Sequence, residues 1–364
     1  MTYLHKGIIG KNGVVEPGSA IDDMGKLAVL PEDDGLHIVD FRKGDFEWWY
    51  FDLTDQDTAC FLKIVIHVGT DPLRTRIFPQ LAVSVETPDG GGAITLAFSP
   101  EELNADTQKC NVSLGNDIRI WAAEGVQSIY YIEIDVPRFQ CSLRFTGSIE
   151  GWKPLGNEIV QQLGKRTGSF SWVIPMPRAI VDGDFHFEGK HYRIRDAVGY
   201  HDHNYIRVGR ERPLYMDDLI TRWYWGKCYV ADYAVIFMDT QCRTNRILSL
   251  MVSEGSRIIY SANNSIDCTV VSYGFDPILK TKYPERIHIK STDVTFKFQA
   301  GVECNRISDR KDLLENINPF ARFLIRTFIA KPAYYGVLAR IKLQINGISL
   351  QGEGNYESMV FRGK

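Results

Sequence analysis

The sequence predicts an all-β protein: two successive antiparallel β-barrels or sandwiches, with one substantial helix near the C-terminus. Three observations carry that prediction. Aromatic residues make up 12% of the 364-residue chain, and β-branched residues are abundant; both kinds of side chain suit a pleated, half-buried surface. Gly and Pro punctuate the chain at short intervals. About sixteen strand-like runs can be marked, more than one small barrel uses, and long open sheets curl, split or close.

The runs in the N-terminal half are Glu47–Leu53, Cys60–Val68, Gln80–Thr87, Ile118–Ala122, Ile129–Val136, Gln140–Ser148, Ser169–Pro175, Arg178–Phe187 and Lys190–Tyr200. Those in the C-terminal half are Trp223–Thr240, Arg246–Glu254, Arg257–Ala262, Arg286–Ser291, Val294–Ala300, Ala339–Ile345 and Ile348–Tyr356. Pro88-Asp89-Gly90-Gly91, Glu188-Gly189-Lys190 and Asn346-Gly347 read as hairpin turns. The stretch RVGRERPLYM, Arg207 to Met216, interrupts the strand rhythm, so we expect domains over 1–210 and 211–364.

Two segments read as helical. Pro100–Leu103 opens a short turn. Ser308 to Ala330 can be capped by Ser308 or Asp309 and places Leu313, Leu314, Ile317, Phe320, Phe323, Leu324 and Phe328 at near-helical spacing, with Pro319 dividing it. Such a helix packs on a barrel wall. The alternative is a peripheral membrane contact through 308–330, with Arg322, Arg326, Lys331 and the phenylalanines at the lipid surface.

With 42 Lys+Arg against 45 Asp+Glu the net charge is −3, which argues against nucleic acid as a partner. Seven cysteines without CxxC or zinc-ligand spacing support neither a disulfide framework nor a structural metal site. No signal-like or membrane-spanning apolar run is visible. The expectation is a soluble, cytoplasmic protein, at most peripheral to a membrane.

Two regions carry chemistry: Asp45-Phe-Glu-Trp-Trp-Tyr-Phe-Asp52, and Gly199-Tyr-His-Asp-His-Asn-Tyr205 followed by Thr221-Arg-Trp-Tyr-Trp-Gly-Lys227. Strand alternation places Glu47, Trp49 and Phe51 opposite Trp48, Tyr50 and Asp52, and His201, His203 and Tyr205 opposite Tyr200, Asp202 and Asn204. An unpaired polar group inside a barrel costs about 1–3 kcal/mol. These side chains therefore either satisfy one another or wait for a ligand. His-Asp-His reads most simply as a hydrogen-bond knot closing the junction of two barrels, with Glu47 or Arg207 as partners. His201 and His203 can also chelate a metal, but no third ligand stands at recognisable spacing, so no metal is expected. The paired tryptophans read as core.

In combination, EWWYFD, SFSWVIPMPRAIVDGDFHFEGKHYRIRDAVGYHDHNY, TRWYWGKCYVADYAVIF and GISLQGEGNYESMVF resemble the carotenoid 1,2-hydratase (hydroxyneurosporene synthase) family. The likeness extends to its lipocalin-like relatives, among them the fungal decalin-forming Diels–Alderases. It runs from about Phe46 to Phe361. It implies two tandem lipocalin-like β-barrel domains with an apolar ligand cavity near their junction and no cofactor. Position by position it matches the family's HDHN to Asp202, His203 and Asn204 with His201 before it, and the family's proton donor to Asp232. Tyr205-Ile206 stands where the hydratases have Trp-Gly.

Hydration of an isolated alkene needs an acid kept protonated and walls that tolerate a cation. Asp232, or Asp202 if the barrel presents that face, would be the acid. Trp48, Trp49, Tyr50, Trp223 and Trp225 would be the walls, with Tyr205 a further aromatic surface, and His203 would position the water. A pericyclase would instead use Glu47, Asn204 and Tyr50 as grips on a folded polyene. A non-catalytic carrier would show an apolar pocket whose buried carboxylates are all paired. The partner in every case is a hydrophobic small molecule, a polyene or isoprenoid.

Overall fold

Alternation of apolar and polar residues becomes alternation of burial: along Cys60–Thr70 every second residue through Val68 is buried. The computed structural model describes residues 28–70, 77–124, 128–154, 156, 158–263, 265–314 and 331–361. The first sheet holds β1 (Phe46–Asp55), β2 (Cys60–Thr70), β3 (Ile77–Thr87), β4 (Gly90–Ala97), β5 (Leu103–Ala105) and β6 (Asn111–Leu114). It continues with β7 (Ile118–Ala122), β8 (Ile129–Val136), β9 (Phe139–Gly147), β10 (Ile159–Leu163), β11 (Arg166–Phe187) and β12 (Lys190–Val208). Their order is β4-β3-β2-β1-β12-β11-β9-β8-β7-β6-β5, with β10 beside β11.

After one helical turn, Met216–Leu219, a second sheet follows. It contains β13 (Ile220–Val230), β14 (Tyr233–Cys242), β15 (Arg246–Glu254), β16 (Arg257–Asn263) and β17 (Ile266–Asp276). β18 (Thr281–Ser291), β19 (Phe298–Asp312), β20 (Ala333–Ile345) and β21 (Ile348–Val360) complete it in the order β16-β15-β14-β13-β21-β20-β19-β18-β17. Both sheets are antiparallel and curl into half-barrels, the all-β tandem lipocalin-like architecture. Asn346 and Gly347 both take positive φ, 48° and 92°, as a two-residue hairpin turn requires.

The Ser308–Ala330 helix is not borne out. Ser308–Asp312 completes strand β19, where cross-strand pairing with Ala333–Gly336 satisfies backbone groups that a helix would have bonded internally. Residues 315–330, with Arg322 and Arg326, lie outside the described residues. Strand readings also change: the expected strand Val294–Ala300 begins only at Phe298. Trp223–Thr240 is a hairpin turning at Ala231-Asp232, with Ala231 at φ 51°. Ser169–Pro175 and Arg178–Phe187 form one 22-residue strand, β11, bent by register shifts at Val173/Met176 and Met176/Ala179. No helix among the described residues is long and apolar enough to cross a membrane.

Apolar side chains gather in three clusters. One fills the first half-barrel around Phe51, Ile64, Ile132 and Phe185, and one fills the second around Leu250, Ile287 and Tyr356. The third joins Tyr50, Trp152, Trp172 and Tyr200 of the first sheet to Trp225, Ile236, Met238 and Met251 of the second. Through this junction cluster runs a buried ion pair: Lys227 donates to Asp52, which also accepts from Tyr50 Oη at 2.9 Å. Lys227 Nζ sits 4.1 Å from the Tyr200 ring centroid.

Removing one member of a buried pair leaves an uncompensated charge. Lys227→Met should therefore lower unfolding free energy by about 3–5 kcal/mol, and Lys227→Met with Asp52→Asn should recover much of the loss. Urea denaturation of both variants measures this.

Candidate functional site

The site begins with the pairing of β1 and β12, which sets Glu47 opposite Tyr205, Trp49 opposite His203 and Phe51 opposite His201. On the other face Trp48 pairs with Asn204, Tyr50 with Asp202 and Asp52 with Tyr200. Each face carries polar side chains into a buried space, and each resolves them differently.

On the first half-barrel's inner face the histidines form a network with buried carboxylates. Its other half comes from a 3-10 turn, Pro31–Asp34, held down by Lys153 on Asp33 at 2.6 Å and by Trp49 Nε1 on the Asp34 carbonyl at 3.0 Å. Asp34 accepts from Tyr130 Oη at 2.7 Å and meets His201 Nε2 at 2.9 Å and His203 Nδ1 at 3.3 Å. His201 Nδ1 faces the Tyr50 carbonyl at 3.0 Å. Glu47 accepts from the backbone of His37 and Ile38 and meets His203 Nε2 at 3.0 Å.

Both ring nitrogens of His203 therefore face carboxylates, which suits its imidazolium. Burial works against that charge, but hydrogen bonds to Asp34 and Glu47 outweigh it and raise the histidine to about 9. Burial also opposes ionisation of the two acids. His201 and His203 nevertheless hold Asp34 well below the usual range, and His203 and His37 hold Glu47 at about 2. Phe51 stacks on His201 at 3.8 Å and Trp49 on His203 at 4.6 Å.

The knot expected from His-Asp-His thus lies inside the first half-barrel, not at the junction, and Asp202 is not in it. Glu47 is a partner. Arg207 is not: it reaches the His37 carbonyl and Glu158. Tyr205 stacks on His37 at 4.2 Å and, with Glu47, Trp49, His201 and His203, faces away from the junction. Folding also supplies third ligand atoms that spacing did not reveal. His37, Glu47 and His203 form one trio within 4.8 Å, and Asp34, Cys110 and His201 another. In both trios a histidine nitrogen already meets a carboxylate, while His37 Nδ1, His203 Nδ1 and Asp34 Oδ1 make no hydrogen bond among the described residues and lie at ion-pair distances of 3.3–3.4 Å. A half-exposed trio, Asp184, His186 and His191, sits on the β11–β12 hairpin.

The opposite face lines a cleft of about 60 Å³ between the sheets. Trp48, Tyr50, Asp202 and Asn204 come from β1 and β12, Trp172 from β11, Trp223 and Trp225 from β13, and Glu357 from β21. Asp202 Oδ2 accepts from Tyr200 Oη at 2.8 Å and Trp172 Nε1 at 3.1 Å, and its Oδ1 accepts from Asn204 Nδ2 at 2.8 Å. Burial pushes its carboxyl up, the Trp172 and Tyr200 donors pull it back, and it settles at about 7. The indole N–H groups of Trp223 and Trp225 are buried with no acceptor among the described residues.

Of the residues singled out in sequence, Asp202, Asn204, Trp48, Tyr50, Trp223 and Trp225 meet in this cleft. Asp232 does not. It is exposed in the β13–β14 turn, away from the residues that line the cleft, so it is not placed to act as the cavity acid. Sequence reasoning missed Trp172, Tyr200, Asp34 and Glu357. Glu357 lay inside the recognised GISLQGEGNYESMVF stretch, but nothing local told which of its acidic residues points inward.

No protein-family model and no curated protein matches the chain. Among solved structures it is similar to a protein described as AttH-like from Nitrosomonas europaea, with 14% identity over 95% of this chain and 98% of that one, TM-score 0.62. It is also similar to kievitone hydratase from Nectria haematococca, with 12% identity over 93% and 94% and TM-score 0.59. CghA gives 13% identity over 94% and 97% with TM-score 0.65, and has also been solved with Sch210972. The chain therefore has the AttH-type, lipocalin-like fold.

The network also predicts a pH dependence. His203, raised from 6.5 to about 9, contributes stability that is full below pH 6.5 and lost as pH rises through about 9, some 3 kcal/mol in all. The stability difference between the wild type and His203→Gln should shrink by about that much between pH 6 and pH 10. Chemical denaturation at both pH values checks it, and Lys227, present in both proteins, cancels from the difference.

Proposed function

We propose that the protein is a cofactor-independent enzyme that protonates an isolated C=C bond of a hydrophobic small molecule in the junction cleft, with Asp202 as the acid. Water then captures the cation, giving hydration. Capture by an internal alkene or hydroxyl would give cyclisation instead. One observation carries the reading: a carboxyl poised at about 7, hydrogen-bonded only to neutral donors among the described residues, on the wall of an aromatic cleft. A carrier would have every such carboxylate ion-paired.

The chemistry follows from the surroundings. Desolvation keeps a large share of Asp202 protonated near neutrality. Trp48, Trp223, Trp225 and Tyr50 present aromatic faces, each worth about 0.5–2 kcal/mol to a cation. A cleft of about 60 Å³ takes only a short unsaturated terminus, which favours a substrate smaller than a carotenoid or one whose bulk lies outside it. That kievitone hydratase is similar in fold supports the hydration reading. The free indole N–H groups of Trp223 and Trp225 favour a second reading, templated cyclisation, in which they polarise a substrate carbonyl.

Incubating the protein with geraniol and farnesol in heavy-oxygen water separates these readings: hydration incorporates label, cyclisation gives an unlabelled isomer, and a carrier returns the ligand. Asp202→Asn keeps its hydrogen bonds if the Asn204 amide turns over, and should lower turnover by about 10²–10⁴-fold. Trp225→Phe should cost about fivefold. Templating would invert that ranking. Under acid catalysis turnover should also fall as pH rises through about 7 and Asp202 loses its proton, which a pH–rate profile reads directly.

A further inference from the structure

A second cavity, of about 600 Å³, lies between the sheets beside the cleft, lined by Lys63, Arg306, Asp309, Tyr334 and Asn355 among others. This volume falls in the range of small-molecule pockets. The two spaces share two lining residues, Tyr50 and Glu357. The Tyr50 hydroxyl is committed to Asp52 at 2.9 Å. Glu357 is different. It stands on β21 between Trp225 and Gly336, half-buried, and the one hydrogen bond to its carboxyl from the described residues is that of Tyr334 Oη, at 2.7 Å on Oε1. Tyr334 in turn accepts from Lys63 Nζ at 3.3 Å, and Lys63 reaches Asp309 at 3.3 Å. A polar line thus runs from the aromatic cleft into the larger chamber, whose lining includes Lys63, Arg306 and Asp309.

We infer that Glu357 is the second catalytic carboxyl of the site, the base that takes a proton from the attacking water, with the larger chamber supplying that water. This rests on the reading of Asp202 as the acid. Asp202 gives its proton to one alkene carbon, and the π pair forms the new C–H bond. A water oxygen bonds to the cationic carbon, and that water's proton passes to the Glu357 carboxylate. The product is the alcohol. Asp202 is left ionised and Glu357 protonated, and exchange with water in the larger chamber returns the proton. In cyclisation the same base would take the proton from the carbon next to the final cation, closing an isomerisation without net change. Two carboxyls facing one apolar cleft divide acid and base roles in this way because neither can do both in a single step.

A cation mimic tests the placement without knowledge of the substrate. Protonated N,N-dimethyldecylamine and decan-1-ol should both quench the cleft tryptophans at pH 8, with the amine binding about tenfold tighter because two carboxylates face it. Glu357→Gln and Asp202→Asn should each erase most of that preference. In the heavy-oxygen assay Glu357→Gln should lower label incorporation by about 10²-fold. If Glu357→Gln does not fold, Tyr334→Phe replaces it, and should slow turnover while keeping the amine preference. Loss of preference in Asp202→Asn alone, or full label incorporation by Glu357→Gln, overturns the role of Glu357 and leaves that of Asp202 standing. No amine preference in the wild type overturns both.

Discussion

The pairing of β1 with β12 is the constraint on which the rest of the structure depends. The two strands are separated by most of the first half of the chain, yet they lie side by side, with Phe46 opposite Ile206 and Asp52 opposite Tyr200. A shift of one residue would turn every side chain to the wrong face. It would place Asp202 inside the half-barrel beside Asp34 and Glu47, three carboxyls in one apolar space, and would move His201 and His203 into the cleft. The register is fixed because the two faces solve the problem of buried charge in ways that cannot be exchanged.

On the inner face imidazoles are matched with carboxylates. Two histidines meet two carboxylates, backbone N–H groups occupy further lone pairs of Glu47, and aromatic rings cover both imidazoles. Such a network is costly to assemble and costlier to break, so it specifies one arrangement. On the junction face the Asp52–Lys227 pair is neutralised in the same manner, whereas Asp202 receives only neutral donors. The carboxylates thus differ in whether an ion pair neutralises them, and the proposed acid is the one without such a pair. Asp34, Glu47 and Asp52 each form an ion pair, whereas Asp202 forms none among the described residues.

The second sheet completes the site. β13 brings Trp223, Trp225 and Lys227 to the junction on alternate positions, while Cys228 and Val230 pack into the second half-barrel. One strand thus supplies the cleft wall, the cation that ties the sheets together and part of a separate core. Glu357 arrives by the same logic, through the pairing of β13 with β21, where it stands opposite Trp225. The cleft needs both sheets: Asp202 comes from one and Glu357 from the other.

Much of this was legible in the chain itself. The period-two patterning, turn residues and aromatic content determined an all-β fold of curled antiparallel sheets, because burial on one face of a strand is a local property. The same alternation placed Asp202 and Asn204 opposite His201 and His203, and Trp48 and Tyr50 opposite Glu47 and Trp49. What alternation cannot say is which face looks into a half-barrel and which toward a neighbouring sheet, so Trp49, Tyr205 and the histidines were expected in the cleft along with Trp48. Asp232 was misplaced for a related reason. The hairpin turn at Ala231-Asp232 carries no glycine or proline to mark it, and Ala231 takes its positive φ unannounced. Asp34, Tyr200 and Glu357 needed the tertiary structure outright. Their roles depend on which carboxyl has a cation within reach, and that is decided by strands and turns far apart in sequence.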